Sequence, residues 1–273
     1  MRFEICLSTF DADWNDLCDA ATLADRLGIG GIWVMDHLSG AVHERHHVLE
    51  ALSVVGGVIG ATERCRVGTL VLNAATRHPS VVAQAAATQQ LQSGGRFVCG
   101  IGAGGGSGTP YAEEMIAAGF DDESPALRRE RLGDVLGVLR ALWTDTAGAG
   151  YDGRLHRVGP TEGFLRPDPA PPILVAGFGP KVATLAGQFA DAFNTHASAD
   201  LDHLFAAADT AAAATGRGAL ERTVFDDYSD AWLDPANPSR QRVEAAGTDT
   251  TILVLIPPFD HAVIASIAAI GAA

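Results

Sequence analysis

A buried-looking segment of this chain ends in two titratable residues. In Gly31-Ile32-Trp33-Val34-Met35-Asp36-His37 an apolar run, suited to a strand covered on both faces, gives way to Asp36 and His37 with no turn residue between. A buried carboxylate or imidazole is costly unless partnered, so the pair either satisfies nearby backbone or addresses a ligand. Aimed at a ligand, it is suited to proton transfer near neutral pH. Further along, Gly100-x-Gly102-x-x-Gly105 has the spacing of a dinucleotide fingerprint. No long helix opens from it, and we read it as backbone that approaches a flat ligand closely. In Gly177-Phe178-Gly179-Pro180-Lys181 the proline suits a first helical position, leaving the amides of Phe178, Gly179 and Lys181 for an anion. Lys181, the chain's one lysine, opposes the helix dipole there unless an anion is present; an ordinary turn with a solvated lysine is the other reading. His43-Glu44-Arg45-His46-His47 groups imidazoles in a loop without a defined fourth ligand, so we expect a solvated or pocket-bordering loop and no metal. Neither a Gly-x-Ser-x-Gly nor a Cys-His arrangement supports a covalent hydrolase.

The elements that must position these groups alternate strand and helix. Strands are expected at 3–8, 31–37, 65–72, 97–101, 173–176, 192–196, 223–228 and 251–256. Helices are expected from Asp13 (as cap) to Leu27, stopped by Gly28, and then over 48–61, 79–92, 112–118, 124–143, 180–190, 201–215 and 262–270. Residues 145–171 read as a hairpin excursion, and the seventh unit offers a short helix near 239–246. Eight strands, most followed by a helix, predict an α/β fold, a (β/α)8 TIM barrel in one domain over 1–273 with a short seventh unit. The residues singled out gather at the carboxyl ends of these strands, where barrels carry their chemistry. Asp36 and His37 end the second, Asn73 with Arg77-His78-Pro79 follows the third, the glycines follow the fourth, and Gly177–Lys181 follows the fifth. Asn194 and His196 close the sixth.

The stretches "LGIGGIWVMDH", "LEALSVVGGVIGATERCRVGTLVLNAATRHPSVVAQAAATQQLQSGGRFVCGIGAGGG" and "PPILVAGFGPKVATLAGQFADAFN" resemble the bacterial luciferase-like family. The likeness is greatest to its branch using the deazaflavin coenzyme F420; it covers most of residues 1–197 and is weak beyond. The resemblance implies a barrel of the luciferase-like type, a homodimer, and a flavin or deazaflavin at the carboxyl face. The ring would lie against a bulge in the third strand, within Thr69, Leu70, Val71 and Leu72, often with a non-prolyl cis peptide. Carried over residue by residue, it implies His37 and Asp36 at the reactive ring. His37 would handle the proton that accompanies hydride transfer, and Asp36 would bond the ring edge or fix the imidazole. Asn73, Gly102, Ala103, Gly104, Gly177, Phe178, Gly179, Lys181 and Asn194 would complete the cofactor site. The reaction implied is hydride transfer between F420 and a small organic substrate; an FMN-dependent monooxygenase and a non-catalytic flavin-binding relative are the alternatives. Sugar-phosphate-oxidising relatives place a carboxylic acid just after the fourth strand, where this chain has Ala and Gly until Glu113 and Glu114, which argues against glucose-6-phosphate. The short seventh unit removes part of the rim that would shape a substrate.

Composition narrows the classes. A net charge of −14, from 19 basic and 33 acidic residues, argues against nucleic acid. No apolar stretch is long enough to span a bilayer, and Glu4 interrupts any signal-peptide pattern, so no membrane partner is expected. Cys6, Cys18, Cys65 and Cys99 form no CxxC pair and read as small hydrophobes in a cytoplasmic protein.

Overall fold

The first unit follows its local signals. β1 (Arg2–Leu7) leads to α1 (Trp14–Leu27), whose first free amides, on Asn15 and Asp16, are accepted by the Asp13 carboxylate. Gly28 ends the helix at φ 86°, a left-handed conformation that favours glycine. The computed structural model describes residues 1–271, so the last two residues of the expected domain lie outside the described residues. The chain continues through β2 (Gly31–Val34), α2 (Ala51–Ala61), β3 (Arg66–Thr69), β4 (Leu72–Asn73), α3 (Pro79–Gln92), β5 (Phe97–Gly102), α4 (Pro110–Ala117) and α5 (Pro125–Thr144). An antiparallel hairpin of β6 (Tyr151–Asp152) and β7 (Arg157–Val158) stands apart from the main sheet, as the excursion predicted. Then come β8 (Ile173–Ala176), α6 (Pro180–Phe189), β9 (Ala192–His196), α7 (Leu201–Ala214), β10 (Glu221–Asp227), α8 (Pro238–Ala245), β11 (Thr250–Leu255) and α9 (His261–Gly271).

All pairings of the main sheet are parallel and close on themselves. β1 lies between β2 and β11, and the order runs on through β10, β9 and β8 to β5, which pairs with both β3 and β4. β3 and β4 are two halves of one interrupted strand, so the sheet is a closed eight-stranded TIM barrel. Cys6, Trp33, Val98, Leu174, Ile252 and Val254 pack together inside it, while Ile5, Leu7, Val55, Leu139 and Phe193 belong to the larger core beneath the helices. The seventh unit is short, a single 3-10 turn (Asp230–Leu233) and α8.

Two expected boundaries move for identifiable reasons. α2 begins at Ala51 rather than 48, because Glu50 stays extended and its carboxylate accepts from the Ser53 amide at 2.8 Å. The third strand, expected over 65–72, stops at Thr69 and resumes at Leu72, with a cis peptide between Leu70 and Val71. The bulge implied by the family resemblance is present.

The amino end of the barrel is held by charge. Buried Glu4 accepts from Trp33 Nε1 at 2.7 Å and from Arg66 Nε at 2.9 and 3.0 Å, and Arg66 grips Glu221 with both terminal nitrogens at 2.7 and 2.8 Å. Burial pushes the Glu4 carboxyl above its usual range, against the pull of Arg66. Removing one partner of such a cluster leaves an uncompensated buried charge. Arg66→Met is therefore expected to lower unfolding free energy by about 3–5 kcal/mol in denaturant titrations. The double variant with Glu4→Gln should recover part of that loss. Equal stability of Arg66→Met and wild type would show that the cluster is not a fastening.

Candidate active site

β2 leaves the sheet at Val34, three residues before the sequence predicted, so Asp36 and His37 lie on the loop beyond it. Both border a cavity of about 730 Å³ at the carboxyl end of the barrel, within the range of small-molecule and cofactor sites. The Asp36 side chain is fully committed. It accepts from the Asn73 amide at 2.9 Å and from both terminal nitrogens of Arg77 at 2.8 Å, and Arg77 also reaches Glu50 at 2.7 Å. This bidentate pair ties the loop after β2 to β4 and to the start of α2.

The group that holds the imidazole is Glu114 of α4, not Asp36. Glu114 Oε2 lies 2.8 Å from His37 Nδ1 and 3.3 Å from His43 Nε2, while Oε1 accepts from the amides of Ser39, at 2.8 Å, and of Leu38. Burial opposes ionisation of Glu114, but the His37 ring and the two amides prevail and hold its carboxyl at about 2. An ionised carboxylate only accepts, so the His37 ring proton belongs on Nδ1 and the lone pair on Nε2. Phe10, with its centroid 4.4 Å away, and Tyr111, at 5.9 Å, pack against the ring. Sequence reading placed Glu114 outside the site. The signal was Tyr111 and Glu114, three apart on one face of a short helix that follows the glycine loop.

The glycines serve the protein before any ligand. A Cβ on Gly100 would overlap the Thr69 carbonyl oxygen, one on Gly102 would lie 2.9 Å from Val71, and one on Gly104 would meet Asn73 at 2.8 Å. The bulge can thus lie against β5, and Asn73 can fold over Gly104, whose φ of 79° also favours glycine. Leu70, Val71, Asn73, Gly102, Ala103 and Gly104 border the cavity. Thr69 does not. Its side chain is buried, donating from Oγ1 to Gly100 O at 2.7 Å and accepting from the Gly100 amide at 3.0 Å, so it pins the bulge from behind.

Across the cavity, Gly177, Phe178, Gly179 and Lys181 form its wall. The amides of Phe178, Gly179 and Lys181 have no acceptor among the described residues, whereas the Gly177 amide bonds Asn194 O at 3.0 Å. A Cβ at Gly179 would meet nothing within 4 Å, and its φ of −141° suits any residue. Asn194 also borders the cavity. Its Nδ2 donates to Thr223 Oγ1 at 2.8 Å, and the Thr223 hydroxyl in turn donates to Phe193 O, which fixes the amide's orientation. Its Oδ1 is buried with no donor among the described residues, an open acceptor at the cavity wall. His196 stands aside, with Nδ1 2.7 Å from Ser198 Oγ and Nε2 3.4 Å from Asp226.

A family model described as luciferase-like monooxygenase matches residues 1–225. Among curated proteins, the chain is 31% identical over 213 residues to an F420-dependent glucose-6-phosphate dehydrogenase of Amycolatopsis mediterranei (strain U-32), covering 78% of this chain and 62% of that one. It is 34% identical over 182 residues to the enzyme of the same name from Nocardia farcinica (strain IFM 10152), covering 66% and 52%. These matches span little more than half the length of the curated relatives. Among solved structures, an F420-dependent secondary alcohol dehydrogenase in complex with an F420–acetone adduct superposes with a TM-score of 0.82 at 20% identity, over 97% of this chain and 96% of that one, a likeness of fold. With its barrel, its interrupted third strand and a family match over most of its length, the chain belongs to the luciferase-like monooxygenase family.

Proposed function

We propose that this protein is an F420-dependent oxidoreductase that moves a hydride between the deazaflavin and a small organic substrate. The observation that carries this reading is His37, held by an ionised Glu114 with its acceptor nitrogen free, at a cavity that faces the Leu70–Val71 bulge. The names of the curated relatives point to the same coenzyme.

The residues present fit a deazaflavin. Asn194 Oδ1 needs a donor, and a lactam N–H of a flavin-type ring is one. Gly102 and Ala103 present backbone and a methyl group to a flat ligand, and the free amides of Phe178, Gly179 and Lys181 suit a phosphate. When bound, the coenzyme supplies the hydride acceptor or donor. His37 Nε2 takes the hydroxyl proton of a substrate being oxidised, and returns it when a carbonyl is reduced. Glu114 keeps the ring in the tautomer that makes Nε2 the acceptor, and stabilises the imidazolium once it forms. Asp36, spent on Arg77 and Asn73, sets the height of the loop that carries His37 over the bulge. Of the cations at the cavity, Arg128 donates to the Gly104 and Gly105 carbonyls, which leaves Arg129 and Lys181 to meet anionic groups.

We also read the chain as a cytoplasmic homodimer. Three buried free cysteines and one partly buried support the first, and the exposed Val81 and Leu91 on α3 support the second. No helix among the described residues is long and apolar enough to cross a membrane.

Titrating the purified protein with F420 and FMN side by side tests the cofactor. Saturable binding of F420 in preference to FMN is expected, and a preference for FMN would favour the oxygen-using branch. In an active assay, His37→Ala should lower kcat about 10²-fold or more while leaving cofactor affinity within about tenfold. Unchanged turnover would make His37 structural. For the phosphate, Gly179→Val keeps an allowed backbone and places its Cβ where no protein atom lies within 4 Å, so its effect reads ligand approach. It should weaken F420 more than Lys181→Ala, whose partly exposed charge is worth about 1 kcal/mol or less. A phosphate-free analogue should feel neither change. Gly179→Val binding intact F420 as wild type does would move the phosphate elsewhere.

A further inference from the structure

The sequence shows no defined fourth ligand for the histidines at 43–47, and the structure brings His43 together with His37 and Glu114. His37 Nδ1, His43 Nε2 and a Glu114 carboxylate oxygen, two from the loop after β2 and one from α4, all lie within 4.8 Å of one another. We propose that these three groups form a binding site for a zinc-type transition-metal dication, and that its occupancy switches off the His37 base. Two imidazole nitrogens and one carboxylate oxygen, with a fourth position left open, are a donor set that suits zinc.

The site is built before any ion arrives. Two backbone amides fix Glu114 Oε1, leaving Oε2 to face both rings, and such support of a ligating carboxylate is worth roughly 10–100-fold in metal affinity. Phe10 packs 4.4 Å from the His37 ring and 4.9 Å from the His43 ring, and Tyr111 lies 5.9 and 5.4 Å from them, which fixes both imidazoles. Glu114 Oε2 now sits at hydrogen-bond spacing from the two nitrogens. Zinc bonds of about 2.0–2.2 Å need the three groups to turn about an ion that replaces the shared protons.

The proton balance gives the consequence. Each neutral imidazole keeps one proton. A metal on His37 Nδ1 moves that proton to Nε2, and a metal on His43 Nε2 moves its proton to Nδ1; nothing is oxidised or reduced. His37 Nε2 then donates where the chemistry needs an acceptor. Metal and base exclude each other. This consequence rests on His37 being the base, whereas the binding itself does not.

The test uses the full chain without cofactor. Calorimetric titration with zinc chloride should saturate at one ion per chain, with a dissociation constant on the order of a micromolar or tighter. Cobalt(II) should develop ligand-field absorption at the same stoichiometry, and magnesium, which prefers all-oxygen sites, should not bind. His43→Ala should weaken zinc at least about tenfold, while His46→Ala, an exposed residue of the same loop, should leave it unchanged. Melting curves establish that each variant is folded. No saturable uptake below about 0.1 mM, or uptake that survives His43→Ala, would overturn the site. In a turnover assay zinc should abolish activity and a chelator restore it. Zinc bound at the cluster with turnover unchanged would overturn the switch, while failure of F420 binding leaves the metal titration fully readable.

Discussion

Glu114 accepts from four donors: the amides of Leu38 and Ser39, His37 Nδ1 and His43 Nε2. One carboxylate on the helix after β5 thereby holds residues 37–39 and His43 of the loop after β2. Without it, two partly buried amides and two imidazoles would each need another acceptor. The arrangement also chooses the proton position on His37, and through it which nitrogen is presented to the cavity. Fold and chemistry meet in that single side chain.

The second constraint is steric, and it acts from the floor of the cavity. A parallel barrel strand is normally continuous, yet here the third position breaks between Thr69 and Leu72 and tips Leu70 and Val71 toward the cavity. The neighbouring strand must make room for the displaced backbone. Gly100 and Gly102 do that by presenting no Cβ to Thr69 and Val71, and the Thr69 hydroxyl locks the register through both polar groups of Gly100. The Asp36–Arg77 pair then joins the far side of the bulge to the His37 loop. Bulge, glycines, aspartate and histidine therefore form one unit, in which substituting any member shifts the others.

Much of this was legible from residue order. Strand and helix alternation, the Asp13 and Gly28 caps, the hairpin excursion and the short seventh unit all lie where periodicity and turn chemistry put them. The bulge within Thr69–Leu72 followed from resemblance and is present. What was not legible depends on contacts far apart in sequence. Nothing local says that Glu114 crosses 77 positions to reach His37, or that Asp36 is consumed by Arg77 rather than left for a ring. The glycine run looked like preparation for a ligand, because a missing Cβ says that something comes close but not what. At Gly100 it is the protein's own bulge, and at Gly105 it is Tyr111.

The two walls of the cavity divide the work along chemical lines. On the β2 and α4 side the Asp36 and Glu114 carboxylates are paired and rings are packed, and the His37 Nε2 lone pair has no protein partner among the described residues. On the β8 and β9 side the surplus runs through backbone amides and one amide carbonyl, which recognise a ligand without moving protons. A group bound between these walls is gripped by dipoles at one face and offered proton transfer at the other. Electrostatic preorganisation needs that separation, because donors that are already fixed pay no reorganisation energy when charge develops. The bulge forms the floor beneath both, and its apolar Leu70 and Val71 side chains border the cavity while packing against the inner core of the barrel.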